Sequence, residues 1–292
     1  MAAFTITERK DERIRVNGIA LRVLDGGDAA KVPVVLLHGL NGLAHAWDDV
    51  GASLLKNFRV VALDLRGHGD SDKPFGTYRL EDYVSDVLGV VDQLGLCQPV
   101  LVGHALGGRI AFGYAVSHPE MCRGVVSVDI GFSLPPGQKK NLGERMASFP
   151  DEFTDLNDAV TRFQRYYPDY PPSMISHMVL WGTEYTPTGW VWKNRRRGLI
   201  ETVRCWNQSQ DLLRSRVVET SVLLVRGGRS PMVTQQDLQD FQAVFPKLSV
   251  VELKSAGHYV PFEYPAAFLG VLDGFLASFK PSCLVDEGSR SS

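Results

Sequence analysis

Residues 100–109, VLVGHALGGR, decide the fold of this chain. The apolar run VLV leads directly into a turn that contains Gly103, Gly107 and Gly108, and a helix-compatible sequence follows. A buried strand that reverses into a helix within so few residues brings backbone atoms close together, and glycine removes the Cβ atoms that would collide. Ala105 lies at the apex of this turn, above the carboxyl edge of the predicted sheet. The most prominent position of the motif therefore has no reactive side chain.

The composition limits the classes of protein to which the chain can belong. Its 292 residues are 44% hydrophobic and 22% charged, which is enough for a large core in one or two globular units. The formal net charge of −2 gives no electrostatic reason to expect a nucleic acid or an anionic membrane as partner. No apolar run follows the charged residues of the start, and no stretch of about 18 apolar residues occurs elsewhere. We expect a cytoplasmic protein whose partner is a small-molecule substrate.

Short apolar runs alternate with helix-like segments along most of the chain. The first two runs meet at Asn17–Gly18, a pair that tolerates the positive φ angles of a tight hairpin turn. VPVVLLHG, FRVVALDL and PVLVGHA read as strands buried on both faces, and the segment 80–94 repeats its apolar residues at helical spacing. Helices between buried strands imply parallel pairing. The pattern predicts an α/β fold with a doubly wound, mostly parallel sheet.

One long segment interrupts this alternation. Residues 132–214 are rich in Phe, Tyr and Trp and are too long for an ordinary loop, so we expect an inserted helical cap. The predicted core then consists of residues 1–131 and 215–280, and residues 281–292 read as a polar, disordered tail.

Four motifs together resemble the α/β-hydrolase family. They are the 100–109 turn, LLHGLNG at 36–42, LDLRGHGDSD at 63–72 and SAGHYVPFEYP at 255–265, and they follow the family's order and spacing. The resemblance places the family's nucleophile at Ala105 and its general base at His258. It implies an oxyanion hole formed by the backbone N–H groups of Leu40 and Leu106.

The acid that would orient His258 is absent from the family's commonest position, because no carboxylate directly follows the strand SVLLVRGG. The other position known in the family is the end of the preceding strand, where Asp129 lies in GVVSVDIG. A carboxylate at the end of a buried strand is costly unless it is paired. We therefore assign the acid to Asp129, with Asp237 as the alternative. Asp64 and Asp70 are expected to hold their own turn.

Alanine at position 105 leaves three interpretations open. In the first, a catalytic serine has been replaced, which gives an inactive chain that traps substrate. In the second, the alanine is natural, and His258 with Asp129 activates water or another small reactant. In the third, the protein binds a ligand and catalyses no reaction. A family branch that resembles aminoacrylate or carbamate hydrolases also has alanine here, and carbon–carbon hydrolases and cofactor-free oxygenases share the fold and the histidine. The first interpretation predicts a hydrolase of carboxylic ester or lactone bonds that works by the Ser-His-Asp mechanism when serine is present.

The substrate is expected to be bulky and aromatic, because the cap is rich in aromatic side chains. We predict that Trp181 and Trp192 reach the ligand from the cap, and that His104 shapes the floor of the pocket. The sequence has no dinucleotide-binding or phosphate-loop motif and no His-Glu-x-x-His spacing, so no cofactor and no metal are expected.

Overall fold

A computed structural model describes residues 9–76, 78–135 and 137–279 of the chain; the predicted tail at 281–292 lies outside them. The strands of the described residues are β1 Arg9–Val16, β2 Ile19–Gly26, β3 Pro33–Leu37, β4 Arg59–Leu63, β5 Val100–His104, β6 Gly124–Val128, β7 Glu152–Phe153, β8 Thr183–Thr186, β9 Gly189–Trp192, β10 Ser221–Gly227 and β11 Leu248–Leu253.

The α-helices of the described residues vary from one turn to four. They are α1 Asp48–Leu54, α2 Leu80–Gln93, α3 Leu106–Ser117, α4 Gln138–Ser148, α5 Leu156–Tyr166, α6 Pro172–Gly182, α7 Arg196–Cys205, α8 Gln210–Leu213, α9 Gln235–Val244, α10 Val260–Glu263 and α11 Pro265–Leu276. Short 3₁₀ helices cover Ala44–Trp47, Pro119–Met121 and Trp206–Ser209. None of the described helices combines the length and the hydrophobicity that a membrane crossing requires.

Eight strands form one sheet in the order β1-β2-β4-β3-β5-β6-β10-β11. The pairs β1–β2 and β2–β4 are antiparallel, and every other pair of neighbours is parallel. The predicted hairpin is confirmed, since Asn17 and Gly18 both have positive φ and join β1 to β2. Apolar side chains of α2, α3 and α9 cover one face of the sheet, and those of α1 and α11 cover the other. The doubly wound α/β architecture follows from these two layers.

The inserted cap lies between β6 and β10. Its helices α4 to α8 are accompanied by a small antiparallel sheet, β7-β9-β8, which the sequence analysis did not anticipate. An aromatic cluster that includes Phe149, Phe163 and Trp192 forms the core of this unit. Most of the cap's aromatic residues thus hold the cap itself together.

The turn after β5 places Ala105 where the sequence predicts it. A Cβ atom added to Gly103 would lie 2.1 Å from the carbonyl carbon of Gly107, and one added to Gly107 would lie 2.1 Å from the oxygen of Leu37. Neither distance is compatible with a side chain. Ala105 has φ 48° and ψ −112°, a conformation that L-residues rarely adopt.

This close approach predicts a selective cost of adding one methyl group. Gly107→Ala forces Leu37 on the neighbouring strand to move, and we expect a loss of more than about 2 kcal/mol in the free energy of unfolding. Gly274→Ala is the matched control, because nothing lies within 4 Å of an added Cβ there and helix α11 should gain up to about 1 kcal/mol. Urea unfolding of both variants measures the difference. Equal stabilities would contradict the steric account of the turn.

Candidate active site

Ala105 and the 38–42 loop meet at the carboxyl edge of the sheet. The N–H of Ala105 donates to the carbonyl oxygen of Val128, 3.0 Å away, which fixes the apex against the neighbouring strand β6. A Cβ atom on Gly39 would lie 3.5 Å from the Cβ of Ala105. The loop that contains Leu40 therefore passes directly beside the apex, as the resemblance implies.

His258 and Asp129 form a hydrogen-bonded pair. His258 Nδ1 donates to Asp129 Oδ2 over 2.8 Å, and the carboxylate is fully buried. Asp129 follows β6 with φ 53° and also accepts hydrogen bonds from Gly227 N, at 2.9 Å, and from the Ser230 hydroxyl. A buried carboxylate that accepts three hydrogen bonds is fixed in place and can orient an imidazole. His258 lines the cavity in front of Ala105.

The other acidic residues considered from the sequence have structural partners. Asp237 Oδ1 accepts from Phe132 N, and its other oxygen accepts from Thr234 in the capping box of α9. Asp64 accepts from Ala44 N and Asp70 N, which ties the 64–72 turn to the segment after β3. This geometry favours Asp129 as the partner of His258.

Two backbone donors flank Ala105. Leu106 is the first residue of α3, so its N–H has no acceptor within the helix and points out of the helix N-terminus. Leu40 lies in the 38–42 loop, and both Leu40 and Ala105 line the same cavity. Leu40 therefore borders the space above Ala105, and Leu106 directly follows Ala105 in the chain.

Neutral histidines hold the 38–42 loop from below. His38 donates through Nδ1 to the Gly39 carbonyl and accepts the N–H of Leu65, while His68 accepts the N–H of Asn41 at Nε2. Burial lowers the pKa of His38 to about 4 and, together with the neighbouring His38, lowers that of His68 to about 3. Both rings therefore stay neutral and act as fixed hydrogen-bonding spacers.

His104 lines the cavity in front of Ala105. Its Nε2 donates to the carbonyl oxygen of His258 over 2.9 Å, and its Nδ1 faces Gly39. Burial lowers the pKa of His104 to about 3, with a further contribution from the charge that His258 can carry. His104 thus supports the His258 loop as a neutral ring.

A cavity of about 360 Å³ opens above Ala105. The core contributes Leu40, His104 and His258 among its walls, and the cap contributes a face of α4 together with Tyr170. The α4 residues are spaced three and four apart, which places them on one side of the helix: Gln138, Asn141, Leu142 and Arg145. The result is a pocket with an aromatic and aliphatic wall and one polar helix face, and Asp169 also lines it.

Arg145 brings a positive charge into this cavity. Among the described residues, no carboxylate lies within 4.0 Å of its guanidinium, which instead lies over the ring of Tyr167 at 5.5 Å. Its Nε is buried and has no hydrogen-bond partner there. A buried donor without an acceptor is costly, and an anionic ligand would remove that cost.

The two tryptophans predicted to reach the ligand do not line this cavity. Trp192 is 2% exposed and donates its Nε1 to Asn41 Oδ1 over 2.7 Å, within the contact between cap and core. Trp181 stacks on the ring of His45 with the centroids 3.7 Å apart. Both residues attach the cap to the core, so this part of the sequence analysis is corrected.

The sequence analysis missed three polar residues of the site. Ser230 follows β10, where the sequence has no carboxylate, and its hydroxyl donates a hydrogen bond to Asp129. Arg145 and Asn141 have the spacing of one helical face, which was visible in the sequence, but the sequence does not say which face of a cap helix turns inward. The sequence therefore did not predict that Arg145 and Asn141 line the cavity.

One cluster has the residue types of a metal site. His45, Asp48 and His177 bring their ligand atoms within 4.8 Å of one another where cap helix α6 meets the core. Arg9 Nη1 donates to Asp48 over 2.6 Å, and Arg22 Nη2 lies 3.0 Å from His45 Nε2. Two adjacent guanidinium groups and an existing hydrogen-bond network disfavour a cation here.

Comparisons with known proteins place these motifs in one family. The family model described as the alpha/beta hydrolase fold matches residues 32–265. The chain is 28% identical over 266 residues to 2-(acetamidomethylene)succinate hydrolase of Mesorhizobium japonicum, a match that covers 90% of this chain and 94% of that protein. It is 26% identical to the sn-1-specific diacylglycerol lipase ABHD11 of Mus musculus, over 89% of this chain and 85% of the lipase.

A solved structure agrees with the sequence match. The crystal structure of E-2-(acetamidomethylene)succinate hydrolase superposes with a TM-score of 0.86 at 26% identity and covers 92% of this chain and all of that one. The core, the cap and the connections between them are therefore similar in the two proteins.

The buried histidines predict how stability depends on pH. In an unfolded chain His38, His68 and His104 bind a proton below about pH 6.5, whereas the folded forms stay neutral down to a pKa of about 4, 3 and 3. The unfolded state then binds more protons, so the free energy of unfolding falls as the pH falls below about 6.5. Each histidine contributes up to about 1.4 kcal/mol per pH unit. His104→Gln should make the slope between about pH 6.5 and 4.5 shallower in urea titrations; an unchanged slope would contradict a neutral buried His104.

Proposed function

Because the chain belongs to the α/β-hydrolase fold family, we propose that its site is built to hydrolyse a carboxylic ester or lactone in a small molecule that carries a carboxylate. The observation that carries this proposal is the hydrogen-bonded pair of His258 and Asp129 in a cavity that also contains the apex of the turn, Ala105. The aromatic wall suits a bulky apolar part of the substrate. Arg145 supplies a cationic contact for the carboxylate.

The bond to be cleaved would lie above Ala105. With serine at that position, His258 would take the hydroxyl proton, Asp129 would hold the imidazole tautomer, and the N–H groups of Leu40 and Leu106 would stabilise the oxyanion. Alanine removes the attacking oxygen and leaves the other groups in place. The chain as it stands would therefore bind substrate and turn it over slowly, with water as the attacking group.

The names of the related hydrolases support hydrolysis as the class of reaction, but they do not agree on the kind of bond that is cleaved. The Mesorhizobium protein is named for a succinate, which carries two carboxylates and here an acetamido group, and the mouse protein is named for a diacylglycerol, which is an ester. A carboxylate in the first substrate agrees with a cationic residue in the present cavity. An ester is our first choice for the bond, and an amide is a measurable alternative.

Restoring the nucleophile is the first test. Ala105→Ser should raise kcat/KM for 4-nitrophenyl esters by at least about 10³-fold, because loss of a triad nucleophile costs several orders of magnitude. In the serine background, His258→Ala should abolish turnover, and Asp129→Asn should lower kcat by about 10²-fold or more. Asp237→Asn is the matched control and should retain kcat.

Two results would contradict parts of this assignment. Near-full activity of Asp129→Asn would show that another acid serves His258. Equal activity of the alanine and serine forms, with both lost on His258→Ala, would show that His258 activates water or another small reactant directly. Hydrolysis of anilides but not of esters by the serine form would move the bond from ester to amide.

Arg145 makes a separate prediction about the substrate. The 4-nitrophenyl ester of succinic acid and the corresponding butyrate differ in one carboxylate, so Arg145→Met in the serine background should lower kcat/KM for the succinate about 10- to 100-fold and leave the butyrate within about threefold. Lys140→Met is the control, since Lys140 lies on the same helix with its side chain 80% exposed. A similar loss for both esters would mean that Arg145 stabilises the cap and does not recognise an anion.

A further inference from the structure

We propose that Asn41 is a positioning residue through which the docked cap sets the orientation of the Leu40 N–H. The proposal rests on the proposed function in one respect, namely that the Leu40 N–H serves as an oxyanion donor. It assigns to a cap–core contact a role in the chemical step that is separate from substrate binding.

Asn41 directly follows Leu40 and has a left-handed backbone with φ 62°. The Asn41 side chain is 2% exposed, and cap residues form hydrogen bonds with both its amide nitrogen and its amide oxygen. Asn41 Nδ2 donates to the Tyr167 hydroxyl over 2.9 Å, while Oδ1 accepts from Trp192 Nε1 at 2.7 Å and from Asn194 Nδ2 at 3.1 Å. Three cap residues from two segments, Tyr167 after α5 and the neighbouring Trp192 and Asn194 at the end of β9, thus converge on one loop residue.

The backbone of Asn41 is fixed from the core side. Its N–H donates to His68 Nε2 over 3.2 Å, and that ring is buried and neutral. The core therefore holds the peptide group between Leu40 and Asn41, and the cap holds the Asn41 side chain. Asparagine tolerates positive φ better than most residues, which permits this arrangement without glycine.

The hydrogen bonds of Asn41 require a docked cap. If the cap moves away, the amide group and the indole N–H of Trp192 lose buried partners, which costs on the order of 1–3 kcal/mol for each group left unpaired. The loop would then keep its core contacts to His38 and His68 but lose those that fix the Asn41 side chain. Because a misplaced oxyanion donor affects the transition state more than the bound ester, the effect should fall on kcat.

Asn41 also connects the loop to the ligand-binding wall. The ring of Tyr167, whose hydroxyl binds Asn41, lies under the guanidinium of Arg145 at 5.5 Å. Arg145 lines the cavity, whereas Tyr167 and Trp192 are buried behind it. A contiguous set of contacts thus extends from the proposed carboxylate site to the Leu40 N–H.

Hydrogen exchange measured by mass spectrometry tests the coupling without any assumption about the reaction. Trp192→Phe keeps an aromatic ring in the cap core and removes the donor to Asn41 together with part of the ring volume, and Trp190→Phe on the same strand is the control for that loss of volume. In the full chain, Trp192→Phe and Asn41→Ala should raise exchange in the segment 38–44 about tenfold, as expected for loss of one buried hydrogen bond. Trp190→Phe should not. Unchanged exchange of this segment in Trp192→Phe would overturn the proposal.

Kinetics in the Ala105→Ser background test the catalytic consequence. With 4-nitrophenyl butyrate, Trp192→Phe and Asn41→Ala should lower kcat about 10- to 100-fold and leave KM within about twofold, since loss of an oxyanion donor costs up to about 10³-fold. A rise in KM with kcat unchanged would overturn the proposal and make Asn41 part of the binding wall. If Ala105→Ser hydrolyses none of the esters, the proposed function fails, and the exchange experiment still decides whether the cap controls the loop.

Discussion

The close approach of three backbone segments at the end of β5 is the constraint on which the site depends. Gly103 and Gly107 leave no room for a Cβ, so the chain must rise through Ala105 with positive φ before α3 begins. The same reversal brings the N-terminus of α3 to the sheet edge and leaves the Leu106 N–H free of intrahelical acceptors. The apex and the N–H that we propose as an oxyanion donor are thus consequences of a single steric requirement, and they do not depend on which side chain occupies position 105.

Neutral buried histidines surround the hydrogen-bonded pair of His258 and Asp129. His38, His68 and His104 form their hydrogen bonds as neutral rings, with a proton on one ring nitrogen and none on the other. Burial keeps all three rings uncharged. Among the described residues, Asp129 is the carboxylate that is hydrogen-bonded to His258, and its own donors also include a backbone N–H and a hydroxyl group.

The sequence was sufficient for the parts of the fold that are set by local sterics and periodicity. The hairpin at Asn17–Gly18 and the parallel core follow from glycine placement and apolar spacing, and the assignments of Ala105 and His258 follow from the resemblance of their motifs to the α/β-hydrolase family. The lining of the cavity was not predicted, because it depends on how an inserted unit of mixed helices and strands docks on the sheet. Trp192 illustrates the difficulty: an aromatic residue in a cap is equally compatible with the cap core and with the pocket wall, and only tertiary contacts decide between them.

The two ends of the cap join strands that lie side by side. The cap leaves the core after β6 and returns at β10, and these strands are paired in the sheet. In evolutionary terms the cap is a module with two adjacent attachment points, so its replacement by another would leave the turn at Ala105 and the His258 loop covalently untouched. One attachment point lies close to the residue that is hydrogen-bonded to His258, since Asp129 directly follows β6. A new cap could therefore bring a new substrate, but Asp129 would have to keep its conformation with positive φ. This constraint limits how short or how stiff the first linker of any exchanged cap can be.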